Sequence, residues 1–261
     1  MIGLLLLLFL FPLGFTLYNS IHDDGQFTLK GYRALVSSTL LLRVVSTTFQ
    51  ISIIASLVSL LLGYPIALHL SRQSPRKRAF YLMLVLLPFW TSILVKSFAF
   101  TVILGEHGII NSALVWSFGP DATIPMLFNR VGVIVGMVNY LLPFMVFPIL
   151  ASLLAQNPAI AQAAEIMGAG RLRILLSVTI PLTMPGAVAG LLMTLTLSLG
   201  MYITPALLGG RRDMMIANLI DFYTRQTLDW NLASTIAVLL LALSTGLAML
   251  LFRVRQAEGS F

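Results

Sequence analysis

Apolar residues along this chain come in long unbroken runs, with polar residues gathered in islands between them. Six runs stand out, at 2–18, 48–70, 79–104, 131–155, 186–208 and 232–252. A helix needs roughly 20 apolar residues to cross the hydrocarbon core of a bilayer. A crossing strand would instead alternate apolar and polar positions over about ten residues. These runs do not alternate. The expected architecture is therefore an all-α membrane protein of six transmembrane helices, forming one membrane domain over residues 1–261. The first run, MIGLLLLLFLFPLGF, has neither the basic start nor the A-x-A cleavage site of a signal peptide. It is expected to be retained as the first span.

Composition strengthens this picture. The chain is 58% hydrophobic and 10% charged, against about 25% charged in soluble domains. It has no Cys, which excludes disulfides and thiolate metal sites. The net charge of +7 would suggest nucleic acid in a soluble protein. Here the partner is a lipid bilayer, and basic residues hold cytoplasmic loops inside. With a cytoplasmic N-terminus, the inner segments carry Arg72, Arg76, Lys77, Arg78, Arg171, Arg173, Arg253 and Arg255, 8 of the 16 basic residues. That count is balanced. The loop SRQSPRKR at 71–78 decides it, because four of its residues directly flank two spans, where the rule is strongest. Both termini are then cytoplasmic. The outer connections are 21–47, 105–130 and 209–231. The first and third contain helix-compatible runs; the second contains the turn-rich SFGPDATIP.

Catalytic chemistry is sparse. The chain lacks G-x-x-x-x-G-K-[ST], so it has no phosphate-cradling loop. His22, His69 and His107 are scattered singly, and no Ser/His/Asp set or metal-ligand spacing occurs. No enzyme activity and no cofactor are expected on this chain.

The longest inner segment, 156–185, differs from the rest. Pro158 suits a helix start, and Gly168 and Gly170 supply the conformations a helix end uses. A second short helix over about 171–179 is expected to stop before Pro181, because proline disfavours the α region in the residue before it. The outcome would be a helix–turn–helix under the membrane, joined to the fifth span. Its small residues Ala163, Ala164, Gly168, Ala169 and Gly170 would let another backbone approach. From spacing alone, a loop that merely packs on the bundle is an equal reading.

This segment resembles the EAA loop of ABC-importer membrane subunits, whose pattern is E-A-A, three residues, G, nine residues, I-x-L-P. Here it reads Gln162-Ala163-Ala164, then Gly168, then Val178-Thr179-Ile180-Pro181, with Pro185-Gly186 following. LLGYPIALHLSR at 61–72, TPALLGGRRDMMIANLI from 204 and DWNLASTIAVLLL up to 241 are similar to spermidine/putrescine-type permeases. Gln162 stands where the motif has Glu, and Val178 and Ile180 replace its Ile and Leu. The resemblance implies the type I importer permease (MetI-like) fold with a coupling helix between the fourth and fifth spans. It implies two paired membrane subunits, different chains by preference, and two ATPase chains that hold ATP and Mg. It also implies a periplasmic or extracellular solute-binding protein and a bacterial inner membrane. Gln162, Ala163, Ala164, Glu165, Gly168, Ala169 and Gly170 would then form the ATPase-coupling surface.

Polar side chains inside spans are costly and often functional. Lys96 and Ser97, Asn139 and Tyr140, Thr194, Thr196 and Ser198, and Tyr202 are the candidates for a solute path. Ser and Thr can instead bond to their own or neighbouring helices. Asn139 is more demanding, because its amide needs several partners. Pro143 and Pro148 are expected to kink its span. Lys96 is expected to snorkel to the outer interface. No Asp or Glu lies well inside the expected spans, and Lys96 would repel a cation. A polyamine substrate therefore needs acidic contacts elsewhere, and another small amine, a zwitterion or an organic anion stays open. A stand-alone secondary transporter would need intramembrane carboxylates that this chain lacks. A purely structural membrane protein would need no polar path.

Overall fold

The computed structural model describes residues 2–23 and 25–258. Residues 1, 24 and 259–261 of the expected membrane domain lie outside the described residues. The chain is almost wholly helical. It begins with α1 (Ile2–Ile21), a two-stranded antiparallel hairpin of β1 (His22–Asp23) and β2 (Gln26–Phe27), α2 (Lys30–Ser37) and α3 (Thr39–Ser71). There follow α4 (Pro75–Trp90), α5 (Ile93–Leu104), α6 (Ile109–Phe118) and α7 (Arg130–Ala155). The remainder is α8 (Pro158–Ile166), α9 (Arg171–Ile174), a π-helical turn (Leu175–Thr179), α10 (Ile180–Leu199), α11 (Ile203–Leu208), α12 (Ile216–Arg225) and α13 (Trp230–Glu258). Among the described residues, five stretches are long and apolar enough to cross a membrane: Thr39–Ser71, Ile93–Phe118, Arg130–Ala155, Arg171–Leu199 and Trp230–Leu250.

Two of the expected spans are interrupted. The run 79–104 breaks at Thr91, which leaves the helix with an extended ψ of 142°. The Pro88 carbonyl at this break accepts from Thr91 Oγ1 at 2.9 Å and from Lys96 Nζ at 2.6 Å. A cation on the last carbonyls of a helix meets the negative end of its dipole. Lys96 folds back onto α4, where an orphan carbonyl is the nearer partner. The run 186–208 is interrupted at 200–202, between α10 and α11.

Elements also begin earlier than the apolar runs suggest. α3 starts at Thr39 and has 33 residues, about 50 Å of helix against a core of about 30 Å. Its first turns form because Leu41 and Val44 have a buried face to occupy.

The chain divides into two compact units. The first takes residues up to Ile51, Ser97–Val133 and Leu199–Gly246. Here Leu41 and Val44 of α3 meet Ile216 and Leu219 of α12 and Ile236 of α13. Thr48 Oγ1 accepts the Ile216 N–H at 2.9 Å, pairing one of the orphan donors of α12's first turn. Asn231, in the first turn of α13, donates through Nδ2 to the carbonyls of Asn19 at 2.9 Å and His22 at 3.1 Å, around the end of α1. Arg130 pairs with Asp213 at 3.2 Å and donates to Gln50 Oε1 at 2.9 Å.

The second unit takes Ser52–Lys96, Ile134–Ser198 and residues from 247 on. Its core joins Ala67 and Leu70 of α3 to Met145, Ile149 and Leu153 of α7. Lipid tails are as apolar as leucine, so burial alone does not drive helices together, and small residues permit the close packing that does. Gly186 and Gly190, four apart on α10, bring its backbone against α7. A Cβ on Gly186 would lie 2.6 Å from the Pro148 carbonyl, and one on Gly190 would lie 2.8 Å from Met145 Sδ. The Tyr64 and Thr183 hydroxyls hydrogen-bond at 2.8 Å, tying α3 to α10.

Gly186→Leu is expected to lower the melting temperature of the detergent-solubilised protein, by a destabilisation of about 1–3 kcal/mol. The obstructing atom is backbone and cannot swing aside. Gly246→Leu is the control, since nothing lies within 4 Å of its Cβ position. Lys96→Met is expected to cost about 1–3 kcal/mol in the same melt by stripping a charged donor from the helix break, while Lys96→Arg restores most of the loss.

Candidate functional site

The segment 156–185 is built from caps. Asn157 precedes α8, and its Oδ1 accepts the Ala159 N–H at 3.0 Å. Pro158 occupies the first helical position, where a missing N–H costs nothing. At the other end Gly168 has φ +83°, a left-handed conformation that glycine adopts without strain. The Ala169 N–H reaches the Ala164 carbonyl at 3.0 Å, and the Gly168 N–H reaches that of Glu165 at 2.9 Å. These two bonds are the paired closure of a Schellman motif. Gly170 has φ −69°, which any residue accepts.

The expected second helix does not stop before Pro181. α9, the π-helical turn and α10 run on without a loop, through Pro181 and Pro185. A proline inside a helix has no N–H to donate, and its ring crowds the carbonyl four residues earlier. The wider π turn directly before Pro181 relieves that crowding. Gln156 Nε2 reaches across to the Thr179 carbonyl at 3.3 Å. The turn after α8 is thus coupled by continuous helix to α10.

The sequence-selected residues divide by exposure. Gln162, Ala163, Glu165, Gly168 and Gly170 are exposed, and Ala169 is half-buried. Ala164 is buried at 8% exposure, facing the chain's own interior. The small-residue surface is therefore narrower than the spacing suggested. Sequence reading passed over Ile166 and Met167, which are 88% and 81% exposed at the tip of the loop. Two large apolar residues between Glu165 and a turn glycine were the available signal.

The polar residues of the spans separate as clearly. Thr194 donates to the Gly190 carbonyl at 2.9 Å, Thr196 to Leu192 at 2.8 Å and Ser198 to Leu195 at 2.8 Å, all on their own helix. Tyr140 packs against Phe144 with ring centroids 5.6 Å apart, and its ring lies 5.7 Å from Lys96 Nζ. Ser97 is buried. Tyr202 sits in the break before α11, donating to Asp221 Oδ2 at 3.0 Å. Asn139 is the exception. Among the described residues its amide has no hydrogen-bond partner, and it lines a cleft of about 500 Å³ with Pro65, Ile66, His69, Tyr81, Leu84 and Pro88.

Two features of α3 also escaped sequence reading. Ser52 and Ser56, four apart, are fully buried with hydroxyls that have no partner among the described residues. Their i, i+4 spacing inside an apolar run was the signal.

The family described as "Binding-protein-dependent transport system inner membrane component" matches residues 59–257. The spermidine/putrescine transport system permease protein PotB of Escherichia coli K12 is 32% identical over 236 residues, covering 88% of this chain and 85% of that protein. A bacterial ABC transporter involved in alginate import is structurally similar, with a TM-score of 0.71 at 20% identity over 97% of this chain and 92% of that one. A second alginate transporter structure, in complex with an alginate-bound periplasmic protein, gives 0.69 at 20% identity, covering 95% and 88%. The likeness to the two transporters shows a shared ABC-importer permease fold. The chain belongs to the family of inner-membrane permease components of binding-protein-dependent transport systems.

Proposed function

We propose that this chain is the six-span permease subunit of an ATP-driven importer, with its termini in the cytoplasm, α1 as its first span and α8 as its coupling helix. The observation that carries the reading is the capped, exposed tip of α8, joined through the π turn to α10. A stiff element with an exposed end can pass motion from a partner into a span, because a ligand biases only a structure with discrete alternative arrangements. Gln162, Ala163, Glu165 and Gly168 form the contact with an ATPase chain, and Ile166 and Met167 add apolar surface to it. Two such ATPases, carrying ATP and Mg, serve this subunit and a second, different permease chain. A solute-binding protein delivers the solute on the outer side, and alternating access moves it inward.

The 32% identity to PotB over most of both chains supports a polyamine such as spermidine or putrescine as the solute. A second reading, another small amine, a zwitterion or an organic anion, draws on the acidic residues. Asp213 is already paired with Arg130 and Asp221 with Arg225, and neither lies deep in a span.

Ala163→Glu and Ile166→Asp are both exposed changes that leave the fold intact. Each is expected to cut ATPase co-purification and solute uptake about tenfold or more, the scale of a lost interface hot spot. Complexes that keep their ATPase and their stimulated hydrolysis would overturn the coupling assignment. Uptake of labelled spermidine into vesicles holding the whole complex decides between the two solute readings.

A further inference from the structure

The cleft at Asn139 has no structural task that accounts for it. Several polar groups in this unit are paired: Thr183 with Tyr64, Thr194 with its own helix, Lys96 with the Pro88 carbonyl. Asn139 and the Tyr81 hydroxyl are not, among the described residues, and both line the same cleft. An amide in a lipid-embedded bundle is expensive to leave unpaired, so its presence calls for a partner that comes and goes. Proline adds to the offer. Pro88 has no N–H to give the carbonyl of Leu84, and both residues line the cleft.

We infer that this cleft is a transit site for the solute, and that Asn139 is a specificity-determining contact for an amine. The inference rests on the proposed import of a small organic amine. The volume of about 500 Å³ lies within the range of small-ligand sites, about 300–1,000 Å³. Ile66, Leu84, Val85 and Leu142 give apolar walls that suit methylene groups. Asn139 Oδ1, the freed Leu84 carbonyl and the Tyr81 ring and hydroxyl give uncharged acceptors for an ammonium. The lack of a carboxylate is part of the assignment. A transported species must bind well enough to enter and weakly enough to leave, and a full negative charge would hold a polyamine. Lys96 keeps its charge while donating to the Pro88 carbonyl, which weakens the hold on an ammonium and favours its release.

The test uses the complete transporter in vesicles, with labelled spermidine and putrescine as probes. Asn139→Leu is expected to lower uptake about tenfold, the value of one hydrogen bond to a charged group, with ATPase retention and melting temperature unchanged. Asn139→Asp is expected to slow uptake while raising the spermidine retained by the solubilised complex without ATP by about tenfold or more. A merely structural Asn would not give that gain. Tyr81→Phe, a milder change, is expected to reduce uptake several-fold. If wild-type vesicles move both amines, and Asn139→Leu matches wild type while Asn139→Asp retains no extra spermidine, the cleft assignment fails and the import reading stands. If wild-type vesicles move neither amine, the solute reading fails and the amine assignment of the cleft falls with it.

Discussion

Lipid offers no hydrogen-bond partner, so every backbone amide and carbonyl within the bundle has to be paired by the chain itself. A continuous helix does this for its interior but not for its ends. At several of the places where this structure ends or breaks a helix, a side chain supplies a missing partner. Lys96 and Thr91 reach the Pro88 carbonyl at the break after α4. Asn231 serves the carbonyls around the end of α1, and Thr48 the first turn of α12. Asn111 closes the connection after α6, donating to the carbonyls of Gly105 and Ile124 and accepting the Ile124 N–H.

That accounting separates structural polar residues from functional ones. In an apolar chain each Ser, Thr, Asn or Lys stands out equally. Once bonds are assigned, most are staples, and Thr194, Thr196 and Ser198 simply turn back onto α10. Among the described residues, those left over include Asn139 and Tyr81 in one cleft, and the buried Ser52 and Ser56. The same constraint explains the glycines of α10. With no hydrophobic force to draw α7 and α10 together, contact depends on how closely Gly186 and Gly190 let the two backbones approach.

The segment 156–185 obeys the same physics. Its helix is closed at one end by Asn157 and at the other by the Gly168 turn, so α8 is rigid although short. Beyond the Gly168 turn the path to α10 is helical from Arg171 on, because a π turn takes up the prolines that would otherwise end it. Stiffness at the tip and continuity into the bundle are what a coupling element requires.

Much of this was legible in the residues. The apolar runs, the basic loop at 71–78 and the glycine–proline spacing of 156–185 fix membrane location, helical class and the place of the loop, since each depends on composition or local backbone preference. Pro158 and Gly168 even mark the ends of α8. The tertiary structure alone decided the rest. It broke the run 79–104 at Thr91, carried helix through Pro181, turned Ala164 inward and exposed Ile166 and Met167. It also gave Lys96 a carbonyl and left Asn139 without a partner among the described residues. These outcomes depend on which atoms meet across segments far apart in the chain, and local sequence carries no measure of that distance.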